Sequence, residues 1–278
     1  MIPMRFLAFA VFSILLMNCT QRETIHIGGS TTVLPVISKA AESYRESNPE
    51  VRIIVNAGGS GVGINQVGER KLKIGMTSRD ITEQEKAKYP EVDFNVISIG
   101  KDAVVPVVSS EIYDAGITTL SLQQIRDIYS GEISNWSELG GPDIDILCID
   151  KETSRGTRHV FMQAVFGDKE ATAKGADLVL GSNNEEQTAL TQSNSAIGML
   201  SNAWLNDDVK GLTILMPNGD KIDPSLTNII NGTFPITRDL LIVTAGKPDG
   251  ITKQFIDFVL SDQGQKLVEE AGYVRINK

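Results

Sequence analysis

Short apolar runs alternate with amphipathic stretches along most of the chain. Thr24 to Gly28 reads as a strand. From about Val33 to Ser47 the period changes, and Val33, Val36, Ile37, Ala40, Ala41 and Tyr44 fall on one face of a helix. Val51 to Val55 is a second strand, Val62 to Glu69 a second helix and Lys73 to Thr77 a third strand, giving the order βαβαβ. Asp93 to Ile99 and Ala103 to Ser109 are apolar strands separated by Gly100, and the second of them is the natural crossing into another lobe. A fresh unit follows, with helices at Leu122 to Tyr129, Gly156 to Phe166 and Glu185 to Thr191 and strands at Asp145 to Ile149 and Ala196 to Leu200. Pro235 to Thr244 reads as a return strand, and Ile251 to Leu260 and Gly264 to Ala271 as closing helices. This pattern predicts an α/β protein of two lobes, 24–104 with 238–278 and 105–237, joined by a two-stranded hinge. A cleft between such lobes, at the carboxyl ends of strands, is where ligands settle.

The first nineteen residues stand apart from this alternation. Arg5 precedes an uninterrupted apolar or small run, Phe6 to Met17, which matches the middle region of an export signal. It falls short of the roughly 20 residues that span a bilayer. Leu15-Leu16-Met17-Asn18-Cys19 then puts a cysteine where a lipoprotein signal has its acylated residue, although Asn18 stands where a small residue is usual. The expectation is a signal peptide over 1–19, lipid on Cys19, and a mature chain in the periplasm or on the cell surface, held to the membrane by that lipid. Cys148 then remains alone in an apolar run, an inert core thiol with no disulfide partner.

Of the 278 residues, 41% are hydrophobic and 22% charged, as in ordinary soluble domains. The net charge of −9, with no lysine or arginine stripe, argues against a nucleic-acid partner. An acidic chain is still compatible with anion binding, because capture rests on local donors and helix ends while net charge mainly sets solubility. There is no Cys/His cluster for a metal and no sign of a cofactor.

Three glycine- and hydroxyl-rich loops each lie between a predicted strand and a predicted helix: Gly28 to Thr32, Gly58 to Gly63, and Ser154 to Thr157. A fourth, Thr77-Ser78-Arg79-Asp80, has the hydroxyls without the glycine. The first N–H groups of a helix lack internal partners and carry the positive end of its dipole. Serine and threonine add donors, and glycine lets backbone approach a ligand. One such loop is an ordinary cap or turn. Four at successive strand ends point to a small oxyanion, with Arg79 or Arg155 supplying charge-assisted bonds.

The run Ile125 to Trp136 (IRDIYSGEISNW) resembles the "I-F-x-G-x-I-x-N-W" signature of the phosphate-binding components of phosphate ABC transporters. Gly29 to Pro35 is similar to their first phosphate loop, Gly59-Ser60-Gly61 to their second, Gly156-Thr157-Arg158 with Phe161 to their "S-G-T-R-x-x-F" element, and Phe234 to Arg238 to their "Y-P-L-S-R" segment. The resemblance runs in order through nearly the whole mature chain and implies the type II periplasmic-binding-protein fold. It implies inorganic phosphate as ligand, a membrane permease as partner, a monomer and no catalysis. Carried over residue by residue, it implies contacts from Thr31, Thr32, Ser60, Gly156 and Thr157; the hydroxyl and arginine positions of the same loops add Ser30, Ser78, Arg79 and Arg155 to the expected site. Two positions depart from the family. Lys151 stands where many members have an arginine, and Arg155 replaces the serine of "S-G-T", so Arg155 is expected to take the cationic role with Lys151 a flanking charge. The proton that phosphate carries and sulfate lacks is expected to be read near Ser78-Arg79-Asp80, with either Arg79 or Asp80 at the sensing position and Asp80 otherwise a helix cap.

Two other functions compete with this reading. A phosphate-ester or serine hydrolase would need more than His26, which reads as packed in the first strand, and His159, and there is no G-x-S-x-G elbow. Gly58 to Gly63 is neither a P-loop nor a G-x-G-x-x-G turn, and Asp143, Asp145 and Asp150 read as solvated or capping residues. A surface lipoprotein that senses an oxyanion without transporting it shares every feature above.

Overall fold

A computed structural model describes residues 23–276, so the signal segment and Cys19 lie outside the described residues. The chain begins with β1 (Thr24–Gly29), α1 (Leu34–Ser47), β2 (Arg52–Ala57), α2 (Ser60–Gly68), β3 (Ile74–Thr77) and α3 (Glu83–Lys88). Ile25 and Ile27 point into the core while His26 between them is exposed, so the histidine expected to be packed lies on the outer side of the strand alternation. β1 pairs in parallel with both β2 and β3, which brings all three carboxyl ends to one edge.

The two strands expected around Gly100 are one. β4 (Phe94–Ser109) runs sixteen residues without a break. The glycine that reads as a divider sits beside a register shift, where a Cβ would lie 2.9 Å from Val268 Cγ1, so the position needs a small residue and not a turn. Beyond β4 come α4 (Ser110–Asp114), β5 (Thr119–Ser121), α5 (Leu122–Ser130), β6 (Leu147–Lys151), α6 (Gly156–Phe166), β7 (Leu178–Leu180), α7 (Asn183–Gln192) and β8 (Ala196–Ser201). Then follow β9 (Val209–Gly211), β10 (Thr213–Leu215), β11 (Lys221–Ile222), α8 (Leu226–Ile230), β12 (Thr237–Ala245), α9 (Gly250–Leu260) and α10 (Asp262–Glu270).

The main sheet has the order β2-β1-β3-β12-β4-β8-β6-β7, with β9 also on β4, and β11-β10-β5 form a small separate sheet. β4 pairs with β12 up to Ala103 and with β8 from Val104 onward, so a single strand changes partners where the chain passes from one core to the other. One core gathers Ile25, Ile37, Tyr44, Ile242, Phe255 and Val268. The other gathers Val105, Tyr129, Trp136, Phe161, Ile197 and Phe234. The first lobe therefore closes on itself only through β12, α9 and α10, which return from the far end of the chain.

Caps fix several helices locally. Thr82 caps α3 with Glu85 in a reciprocal box, and Ser121 with Gln124 and Ser182 with Glu185 do the same for α5 and α7. α1, α2 and α6, whose first turns face the gap between the lobes, carry no side-chain cap.

Candidate functional site

The carboxyl ends of β1 and β3 deliver Ser30, Thr31, Thr32 and Ser78, and the first turns of α2 and α6 deliver Ser60, Gly156 and Thr157. All seven are buried. Their hydroxyls meet in one cluster. Ser30 Oγ donates to Ser78 Oγ at 3.0 Å, Ser78 Oγ lies 3.4 Å from Ser60 Oγ, and Thr32 Oγ1 lies 3.4 Å from Thr157 Oγ1 in the opposite lobe. The Ser78 N–H donates to Ser60 Oγ at 3.1 Å and the Thr32 N–H to Ser30 Oγ at 3.2 Å, which anchors the serine side of the cluster to backbone.

Close backbone approach depends on two glycines. Gly29 takes φ 134°, and a Cβ there would run into the Met76 carbonyl. At Gly156 a Cβ would meet Ser60 Oγ and, at 2.5 Å, Ser78 Oγ, so the lobes come this close only because α6 starts with glycine. The Gly61 N–H donates across the gap to the Ser154 carbonyl at 3.1 Å.

The cationic residues are placed differently from the sequence expectation. Arg79 is buried but turned toward α3, with Nη1 and Nη2 each 2.8 Å from Glu85. Burial raises that carboxyl, and the Arg79 and Thr82 hydrogen bonds outweigh it, leaving Glu85 below its ordinary range. Arg155 donates to Glu152 from Nε at 2.8 Å and lies against Gly59 and Gly181 at the rim. Lys151, expected as a flanking charge, is fully buried and ion-paired with Glu186. Burial pushes the ammonium down and the carboxyl up, and the attraction between them opposes both shifts. Asp80 is exposed and does not cap α3; Thr82 does. Asp150, expected to be solvated, is buried against Arg158 with 3.0 Å contacts to Nε.

The guanidinium that does reach the cluster belongs to Arg238 on β12. Asp102 on β4, itself fully buried, holds its Nε at 2.7 Å and its Nη2 at 2.9 Å. Nη1 then donates to Thr157 Oγ1 at 3.1 Å and Nη2 to Thr32 Oγ1 at 3.3 Å, so this one group ties both lobes together. Asn183, the first residue of α7, adds Nδ2 to Thr32 Oγ1 at 3.1 Å, and the Tyr273 hydroxyl donates to the Thr32 carbonyl at 2.7 Å. Neither Arg238 nor Asn183 was among the expected site residues. Arg238 falls inside the segment Phe234 to Arg238 that carries part of the resemblance, and Asn183 lies between Ser182 and Glu185, the two ends of a capping box.

Arg79, Lys151, Arg155, Arg158 and Arg238 each have a carboxylate of their own, so the formal charges around the cleft cancel pair by pair. With these five charges paired, what the cluster presents to the cleft is hydroxyls, backbone N–H groups, helix ends and a guanidinium already balanced by Asp102. His159, one residue past Arg158, has Nε2 2.8 Å from the Thr153 carbonyl; burial, followed by the Arg79 charge, pushes its pKa down. It lines a cavity of about 420 Å³ beside the cluster, together with Arg79, Gln163, Lys169 and Arg238. Among the described residues there is no group of His, Cys, Asp and Glu able to hold a metal ion, and no helix long and apolar enough to cross a membrane. The signature run Ile125 to Trp136 feeds the second core through Ile125, Ile128, Tyr129 and Trp136, while Arg126, Gly131, Glu132 and Ser134 are exposed; Tyr129 donates to the Ile149 carbonyl at 2.9 Å and Trp136 Nε1 to the Ser195 carbonyl at 2.9 Å. The buried Cys148 thiol is pushed up, first by burial and then by Asp177, as suits an inert residue.

A model of the PBP superfamily domain matches residues 19–263. The phosphate-binding protein PstS of Bacillus subtilis (strain 168) is 32% identical over 255 residues, 91% of this chain and 81% of its own length. That of Borreliella burgdorferi is 33% identical over 282 residues and 97% of both chains. Among solved structures, one from Clostridium perfringens, described as a phosphate ABC transporter substrate-binding protein with bound phosphate, is similar with a TM-score of 0.82 and 30% identity. It covers 92% of this chain and 100% of that one.

Proposed function

The chain belongs to the PBP superfamily and, within it, to the phosphate-binding proteins of ABC transporters, and from that premise we propose that it captures inorganic phosphate between its lobes and delivers it to a membrane permease. The observation that carries this reading is the convergence of Ser30, Thr32, Ser60, Ser78 and Thr157, from four loops and both lobes, around one guanidinium whose charge is already balanced. Thr31 and the backbone at Gly156 complete the set of contacts. Arg238 supplies the cationic contact, and Arg79 and Arg155 act from the periphery through their own carboxylate partners. No catalysis is assigned: the cluster holds donors and acceptors and no nucleophile with an adjacent base.

The lobes are residues 24–104 with 238–278 and residues 105–237. They part and close about β4 and the segment leading into β12. Donors from both sides meet only around the ligand, so phosphate favours the closed form by differential affinity. Export, lipid attachment at Cys19 and a monomeric receptor outside the cytoplasmic membrane fit this role.

Calorimetric titration of the mature chain, stripped of ligand by partial unfolding, with phosphate, sulfate and a phosphate ester tests the reading. One-to-one phosphate binding with the ester silent is the expected result. Ester binding with no response to phosphate would overturn it.

A further inference from the structure

The hydroxyl of Thr32 has one proton and two lone pairs. Arg238 Nη2 donates into it at 3.3 Å and Asn183 Nδ2 at 3.1 Å, and neither of these nitrogens can accept in return. With both lone pairs filled, the Thr32 hydroxyl can only donate, and its proton goes either to Thr157 Oγ1 at 3.4 Å or to an anion oxygen placed between the two lobes. The serine side of the cluster is not locked in this way. Ser78 Oγ receives Ser30 Oγ at 3.0 Å and only shares a contact with Ser60 Oγ at 3.4 Å, so it stays free to donate or accept.

We propose that Asn183 is a positioning residue of the anion site: by crossing from the second lobe to fill the second lone pair of Thr32 Oγ1, it makes that hydroxyl an obligate donor and commits the closed cleft to an anion oxygen that carries no proton. This rests on the phosphate reading above and deepens it, because it sets which ionic form of phosphate the cleft accepts. Doubly charged hydrogen phosphate offers three bare oxygens and one P–OH, and the P–OH falls to the ambivalent serine side. Dihydrogen phosphate has a second P–OH that meets a donor and finds no acceptor, and such a mismatch in a buried site is costly.

Asn183 is placed for this by buried anchors. It is 2% exposed, and its helix is pinned one turn further on by Glu186, which pairs with Lys151 and accepts the Met199 N–H at 2.6 Å. The charged and titratable groups packed around the Thr32–Asn183 contact are Arg238 and Asp102 on the sheet, Lys151 and Glu186 beneath it, the Tyr273 hydroxyl on the Thr32 carbonyl, and the Arg155–Glu152 pair and His159 at the rim.

The Asn183 variants leave all of these groups in place, so comparing their pH dependence with that of wild type isolates the ligand's proton. Phosphate affinity is measured by calorimetry on the mature chain and on Asn183→Ala and Asn183→Ser, below and above the second ionisation of phosphate. Wild type should bind phosphate more weakly at the lower pH. Asn183→Ala frees a lone pair on Thr32, so that pH ratio should shrink while affinity at the higher pH falls roughly tenfold, the effect of one hydrogen bond. Asn183→Ser, which keeps a donor, should lie between the two. A pH ratio in Asn183→Ala equal to that of wild type, with wild type binding phosphate, overturns the proposal. Failure of wild type to bind phosphate at either pH overturns the phosphate reading on which it rests.

Discussion

The two lobes bring unequal materials to the same cleft. The first offers a nearly complete cradle, with Ser30, Ser60 and Ser78 already bonded to one another and to backbone, and Arg238 already set by Asp102. The second offers a helix start at Gly156 and Thr157 and one amide at Asn183. A lobe that carries its own network holds its geometry when the cleft opens. A lobe that contributes a few atoms does so only at contact, so its positions act on closure more than on the resting site.

Substitutions should separate those two behaviours. The largest effect is expected from the first lobe: Arg238→Met leaves Asp102 buried without its partner, a loss of about 3–5 kcal/mol of stability along with phosphate binding. Thermal melts with calorimetry check this, and a variant that melts like wild type would show that Asp102 is neutralised another way. Gly156→Ala should be next, weakening phosphate roughly 10- to 100-fold by overpacking against Ser60 and Ser78, with the ligand-free melt unchanged, because the proposed opening carries α6 away from both serines. A lowered ligand-free melt would place the clash in the resting lobe and break the contrast. Arg155→Ala loses a partly exposed rim pair, and phosphate affinity should stay within about threefold.

The smallest effect is a pH dependence. Folding holds His159 below its unfolded pKa, so the unfolded chain binds more protons between the two values. The stability it contributes is present above the ordinary histidine range and is lost as pH falls through the folded value. Denaturation midpoints followed from about pH 7 to about pH 5 should fall less steeply in His159→Gln than in wild type.

Local chemistry was legible in the sequence. The helix Gly156 to Phe166 has the bounds its pattern gives, and the hydroxyl loops at successive strand ends do converge. What sequence could not show lies in two classes. β5, β10 and β11 have two or three residues each, too few for any alternation to register. The contacts that fix the charges are long-range: Arg238 to Asp102 spans 136 positions and Asn183 to Thr32 spans 151, and neither residue carries a local mark of its partner. Arg155 misled for a different reason, since its partner Glu152 is only three positions away. Its place in a helix-start motif is visible in sequence, whereas the Glu152 that claims its guanidinium is an ordinary exposed acid until the turn is built.

The threading of β12 has a consequence for the order in which this protein is made. β12 lies between β3 and β4, so the first lobe's sheet cannot complete its native pairing until Thr237 to Ala245 has been synthesised, whereas the buried core of the second lobe is complete in sequence by Ile236. A chain emerging from its amino end can therefore finish its later half first and must keep Ile25, Ile27 and Ile37 waiting for a strand that arrives near the end.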